Sequence, residues 1–163
     1  MQSKIESVLS PYIPDLYAKT KELALSWEEV KFLSEDPLVT IGNHTVNHYA
    51  MTTLSKEDIF KEILTAQEII KDKTGITTKH FAYPFGSRKE VNRESVEILR
   101  SMEYITGTTT LPGNLFKEYL YKDKLFLLPR YLMCEKASKY TLNIRMNGIY
   151  PFLANNYSKY PKH

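Results

Sequence analysis

Residues 41–48 read IGNHTVNH and set two histidines, His44 and His48, four positions apart just after a short apolar run. On a helical turn, residues at that spacing face the same way and lie roughly 6 Å apart along the axis. Both imidazoles can then reach one ion, with bonds of about 2 Å if the ion is zinc. The same spacing also occurs on ordinary turns, where histidines cap a helix or face solvent. Taken alone, the pair is open to both readings.

The elements around the pair narrow the choice. Ahead of it, LSWEEVKFLSED offers Ser26 and Glu29 as a capping box, with Trp27, Val30, Phe32 and Leu33 at apolar helical positions, so a short helix is expected there. Asp36 and Pro37 stop that helix, and LVTIG, rich in β-branched residues and closed by Gly42, reads as a buried strand. The first histidine then sits just beyond a strand end, where parallel α/β architectures gather their functional groups. Further on, Ser55 caps a helix in which Ile59, Ile63, Ala66 and Ile70 recur at helical spacing, and Gly75 ends it. HFAYPFG reads as a second strand running into a tight loop at Pro84 and Gly86. A helix over KEVNRESVEILRSM leads to a strand at YITGTTT and a turn at Pro112 and Gly113. KLFLLPRYLM is a final apolar strand, and SKYTLNIRMNGIYPFL a terminal helix broken near Gly148 and Pro151. This alternation predicts an α/β layer architecture.

Composition excludes several classes. A chain of 163 residues that is 42% hydrophobic can build one domain with a real core. Its net charge of +3 comes from interspersed acids and bases, with no basic stripe for nucleic acid. The single cysteine, Cys134, rules out an internal disulfide framework and a CxxC site, and it reads as a buried or neutral thiol. No window of about 18 apolar residues suggests a membrane span, and the start MQSKIESVLSPYIPDL has neither the cationic nor the apolar block of a signal peptide.

The ordered series IGNHTVNHYAMTTLS, amphipathic helix, FAYPFG, strand ending TGTTT and LLPR resembles the polysaccharide deacetylase family, the NodB-type carbohydrate esterases, from about Leu25 to Arg130. The resemblance implies a distorted (β/α) barrel and hydrolysis of N-acetyl or O-acetyl groups on a glycan with a divalent metal, usually zinc. Gly42, His44, Thr45 and His48 match the family's histidine motif. They imply that His44 and His48 are metal ligands and that the Thr45 hydroxyl braces their loop. FAYPFG stands at the family's groove-wall motif, which implies a backbone N–H at Phe85 in the oxyanion hole and Tyr83 and Pro84 against substrate. Arg130 in LLPRYLM is open to two roles, a substrate contact or a structural ion pair.

The departures from the family pattern are as specific as the matches. The family's Thr-Phe-Asp-Asp motif, which supplies the base and the third metal ligand, has no counterpart among the acids ahead of His44, namely Glu6, Asp15, Glu22, Glu28, Glu29, Glu35 and Asp36. Ala82 stands where the third motif usually has arginine. No Leu-x-His motif carries the family's acid, and neither His80 nor His163 occupies its place. The expected fold is therefore an α/β, incomplete barrel of the deacetylase type spanning 1–163 as a single domain without its first strand or strands. Either the chain is a fragment of a longer protein or it is a shortened homologue. Open strand edges would favour a homodimer, and the twelve tyrosines suit either such an interface or a sugar-binding groove.

Two functions follow from this. One is a metal-dependent deacetylase acting on an acetylated polysaccharide or amino-sugar glycan, its third ligand not identified in this chain. The other is a catalytically silent homologue serving as a carbohydrate-binding or assembly module. Relatives often act outside the cell.

Overall fold

Ser55 sets the start of the longest helix: its hydroxyl accepts the Asp58 N–H at 3.1 Å, and the chain then runs helically as α3 from Lys56–Thr74. At the far end Gly75 takes the left-handed conformation, φ 80°, and returns its N–H to the Lys71 carbonyl at 2.8 Å. The apolar face of α3 buries Ile59, Ile63 and Ala66, the i, i+4, i+7 pattern of a helix with one core-facing side. These features come from a computed structural model that describes residue 8 and residues 16–117, 124–132 and 138–154. Cys134 and His163 lie outside the described residues.

By contacts the chain divides into residues 1–40 and residues 41–163. In the first unit, α1 (Leu16–Leu23) precedes α2 (Trp27–Ser34), whose capping box is complete. The Ser26 hydroxyl accepts the Glu29 N–H at 3.2 Å, and the Glu29 carboxylate accepts the Ser26 N–H at 2.7 Å. Hydrogen bonding from Ser26 to the Glu29 carboxylate, from its backbone N–H first and its side chain second, holds that carboxyl below the usual carboxylate range. The strand expected over LVTIG does not form. The Asp36 side chain accepts the Leu38 N–H at 2.8 Å and the Asp36 carbonyl accepts the Val39 N–H at 3.0 Å, so a turn takes up the start of that segment. Leu38 is 93% exposed as a result.

In the second unit, β1 (His80–Ala82) and β2 (Thr106–Thr108) pair in parallel, with Phe81 opposite Gly107, and α4 (Arg93–Ser101) lies between them in sequence. Single parallel bridges extend the sheet on both sides, Asn43 to Phe81 and Leu128 to Thr108. Four successive chain positions therefore run side by side in the order Asn43, β1, β2, Leu128, with α3 and α4 as crossovers. This is the α/β alternation expected from the sequence. Among its described residues KLFLLPRYLM contributes the bridge at Leu128 and no longer strand, because Lys124–Leu127 form a 3-10 turn and Pro129 has no N–H for a ladder. Helices α5 (Lys139–Met146) and α6 (Ile149–Ala154) follow. The break between them falls at Gly148, φ 79°, whereas Pro151 lies in the first turn of α6, where a missing N–H costs nothing. Among the described residues no helix is long and apolar enough to cross a membrane.

The core of this unit packs Met51, Ile59 and Ile63 against Phe81, Tyr83, Val96, Leu99, Tyr104 and Phe126. Tyr83 crosses the sheet over Gly107. A Cβ at Gly107 would lie 2.7 Å from the Phe126 carbonyl oxygen and 2.9 Å from the Tyr83 hydroxyl. The first of these neighbours is backbone and cannot swing away, so Gly107→Ala is expected to cost at least about 1–3 kcal/mol of overpacking. Urea unfolding of the variant, with an unchanged m-value and a lower midpoint, is the check.

Candidate metal centre

His44 and His48 stand on an irregular loop, not on the helical turn that their spacing suggested. Thr45 (φ 66°) and His48 (φ 56°) are both left-handed, a conformation no helix contains. The loop is held by its own polar groups. The Asn43 side chain accepts the Thr45 N–H at 2.9 Å, and the Thr45 hydroxyl accepts the His48 N–H at 3.1 Å. With the chain folded back in this way the two imidazoles meet edge to face, centroids 4.8 Å apart.

That separation suits a shared ion. Two imidazoles bound through ring nitrogens to one zinc at about 2.1 Å have centroids about 5 Å apart. The tautomer is also fixed at one of them. His44 Nδ1 lies 2.7 Å from the Ala82 carbonyl oxygen, which can only accept, so Nδ1 carries a proton and the neutral ring has its lone pair on Nε2. A carbonyl oxygen orienting the ring from its far side is the usual support of a metal-ligating histidine. The described residues contain no group of three or more His, Cys, Asp or Glu side chains that could hold an ion. The donors present therefore fit two positions of a metal site and leave the others to groups elsewhere.

Phe85 borders the pair, its ring edge to face with that of His48 at 4.8 Å. It is left-handed at φ 58°, and the Gly86 N–H reaches back to the Pro84 carbonyl at 2.6 Å, closing a γ-turn of positive φ, a strained form. The turn is clamped from the segment just after β2: the Thr110 hydroxyl donates to the Phe85 carbonyl at 2.7 Å and the Thr110 N–H to the Gly86 carbonyl at 2.9 Å. The N–H of Phe85 itself makes no hydrogen bond among the described residues.

Tyr83 and Pro84 stand apart from this surface. Tyr83 is fully buried, its hydroxyl donates to the Phe126 carbonyl at 3.0 Å, and burial pushes that hydroxyl well above the usual tyrosine range. Pro84 is fully buried too. Both serve the core of the unit, contrary to the groove-wall role expected from the sequence, because the strand carries alternate residues inward and the tight turn folds Pro84 under. Arg130 is exposed, its backbone N–H bound to the Leu111 carbonyl at 2.9 Å, and its guanidinium makes no ion pair among the described residues.

Two positioning residues escaped the sequence reading. Asn43, 1% exposed, donates to the Ile63 carbonyl at 2.9 Å and to the Tyr104 hydroxyl at 2.8 Å while it receives Thr45. Glu62 on α3 accepts the N–H groups of Val46 and Asn47. In sequence each is one polar residue among many, with no spacing that marks it.

The family model for polysaccharide deacetylases matches residues 9–107 of the chain. No curated protein matches the sequence. Among solved structures, the chain is similar to a Streptococcus pyogenes deacetylase, PplD, in complex with acetate, at 22% identity and TM-score 0.64, over 75% of this chain and 50% of that one. It is similar to a polysaccharide deacetylase from Bacillus cereus at 22% identity and TM-score 0.64, over 76% of this chain and 37% of that one. The BpsB deacetylase domain from Bordetella bronchiseptica matches at 17% identity and TM-score 0.55, over 67% and 49% of the two chains. The chain thus spans half or less of the length of each. What these likenesses share with it is the fold, of which the small parallel sheet and its crossover helices are part of a deacetylase-type barrel.

Proposed function

The chain belongs to the polysaccharide deacetylase family, and from that premise we propose that His44 and His48 are two ligands of a divalent metal, zinc by preference, in a site that hydrolyses acetyl groups on a glycan. The observation that carries the reading is the meeting of the two imidazoles at 4.8 Å with the His44 tautomer set by the Ala82 carbonyl. A divalent ion held there would polarise an acetyl carbonyl and acidify a water.

The chain's own groups do the rest of what this site requires. The Ala82 carbonyl and the Thr45 hydroxyl keep the loop in its folded-back form. The Phe85 N–H, left open by the strained turn, is the donor for the oxyanion of a tetrahedral intermediate, a contact worth about 3 kcal/mol of barrier. Because the donor is backbone, phenylalanine serves there as well as tyrosine. Exposed beside it, the Phe85 ring offers an apolar face, and Arg130 a cation, to a glycan. The third ligand and the base would be carboxylates outside the described residues, on this chain or on another.

A second reading is favoured by one observation, that the described residues hold no three-ligand group. In it the chain keeps the fold and binds glycan without turning it over. Both readings meet one experiment: release of acetate from acetylated amino-sugar oligomers by the zinc-dialysed chain. Release that stops on chelation supports the hydrolase. Retained oligomer without release supports the silent homologue, and neither release nor binding sinks both.

A further inference from the structure

The loop between the two histidines is held not only by its own residues but by a carboxylate from the neighbouring helix. Glu62 lies on α3, next to the buried Ile63 and one turn before the buried Ala66, and is half-buried. One of its oxygens accepts the N–H of Asn47 at 2.9 Å and that of Val46 at 3.2 Å, and the other accepts the Asn47 side-chain amide at 2.6 Å. Val46 and Asn47 are the residues between Thr45 and His48, so the carboxylate grips the part of the chain that sets how far apart the two rings stand. Left-handed residues flank that part on both sides, and the bend they impose has no ladder of backbone bonds to keep it. Charge-assisted bonds from a rigid helix supply the restraint, since bonds to an ionised acceptor are about twice as strong as neutral ones.

We infer that Glu62 is a positioning residue, which fixes the separation of His44 and His48 by clamping the Val46 and Asn47 amides from helix α3. It makes no hydrogen bond or ion pair with either imidazole ring. Only the zinc part of its test rests on the reading of the histidines as ligands.

The test uses the full chain, metal-free, as wild type and as Glu62→Ala, Glu62→Gln and Glu62→Asp. Amide exchange is followed by NMR, and zinc alone is then titrated in. In Glu62→Ala the Val46 and Asn47 amides are expected to exchange about tenfold faster or more, with Ile63 and Ala66 in α3 unchanged. Zinc affinity should fall by about 10–100-fold, the usual cost of losing support around a ligand. Glu62→Gln keeps one acceptor oxygen for the two backbone amides, and its amide can donate to a flipped Asn47 side chain, so it should restore most of both quantities. A merely structural glutamate would change global unfolding without this selective exchange. Exchange and zinc affinity in Glu62→Ala within twofold of wild type overturn the proposal. If Glu62→Ala does not fold, Glu62→Asp carries the test, its carboxylate one methylene short of the amides. Faster exchange at Val46 and Asn47 is expected there too, and unchanged exchange overturns the inference. If the wild type takes up no zinc, the ligand reading fails, and the exchange data alone decide the role of Glu62.

Discussion

Replacing His44 and His48 together by alanine is expected to abolish zinc retention while leaving the unfolding transition nearly where it was. The two parts of this result have separate causes. Both side chains are exposed, so almost no apolar burial is lost, and the one bond forfeited is His44 Nδ1 to the Ala82 carbonyl, worth about 1 kcal/mol. Position 48 is left-handed at φ 56°, a conformation that histidine adopts more readily than alanine, which adds up to about 1 kcal/mol to the cost. A total change of no more than about 2 kcal/mol in stability is therefore expected. Metal uptake has no such reserve. With two of its donors gone, a site whose described residues already lack a three-ligand group keeps too few donors to hold an ion. Elemental analysis after dialysis against trace zinc, beside urea unfolding of the metal-free variant, measures both parts. Zinc retained by the double variant would place the ion elsewhere, and a large loss of stability would make the pair structural.

A single variant, His44→Asn, whose side-chain nitrogen takes the place of Nδ1, separates ligand from loop. Its amide can still donate to the Ala82 carbonyl but is a poor ligand for zinc. It should keep the fold and lose the metal.

How much of this site the sequence could show depends on the range of the interaction involved. Local chemistry was legible. Ser26 with Glu29, Ser55 as a cap and Gly75 as a stop all act within one helical turn, and the structure has each in the predicted place. The spacing of Ile59, Ile63 and Ala66 was legible for the same reason. Strands were less so, because a strand exists only by its partner. LVTIG has every local mark of one, yet the Asp36 turn captures its start and only Asn43, one residue past Gly42, reaches β1.

The histidine pair shows a subtler limit. Four-residue spacing is a helical signature, and here it arises in a loop with two left-handed residues that no periodicity argument would place. The proximity was right and its cause was not. Tyr83 shows the converse, an aromatic residue in a groove-like motif whose burial is decided by Gly107 and Phe126, 24 and 43 residues away in sequence. Glu62 and Asn43 were invisible because their partners are supplied by the fold alone.

Asn43 carries the second large effect. It joins three parts of the unit through three bonds: the Thr45 N–H of the histidine loop, the Ile63 carbonyl of α3, and the Tyr104 hydroxyl, which itself reaches Gln67 at 2.6 Å and Thr78 at 3.2 Å. Burial raises the Tyr104 hydroxyl above the usual tyrosine range, with its bonds to Thr78 and Asn43 acting in opposition. Asn43→Leu removes one acceptor and two donors from a site with 1% exposure, where water cannot replace them. Each partner left unpaired costs about 1–3 kcal/mol, so a loss of about 3–5 kcal/mol is expected after partial relaxation. Asn43→Asp tests the direction of the bonds: same shape, but an oxygen set 2.9 Å from the Ile63 carbonyl oxygen in place of a donor. It should be nearly as destabilising above the titration of the new carboxyl and less so below it, because the protonated acid can donate to that carbonyl. The sign follows from linkage, since a buried, repelled carboxyl has its pKa raised on folding and binds a proton more tightly in the folded state. Unfolding midpoints of both variants across the acid range measure this, and equal stability of Asn43→Leu and wild type would show that the network holds nothing in place.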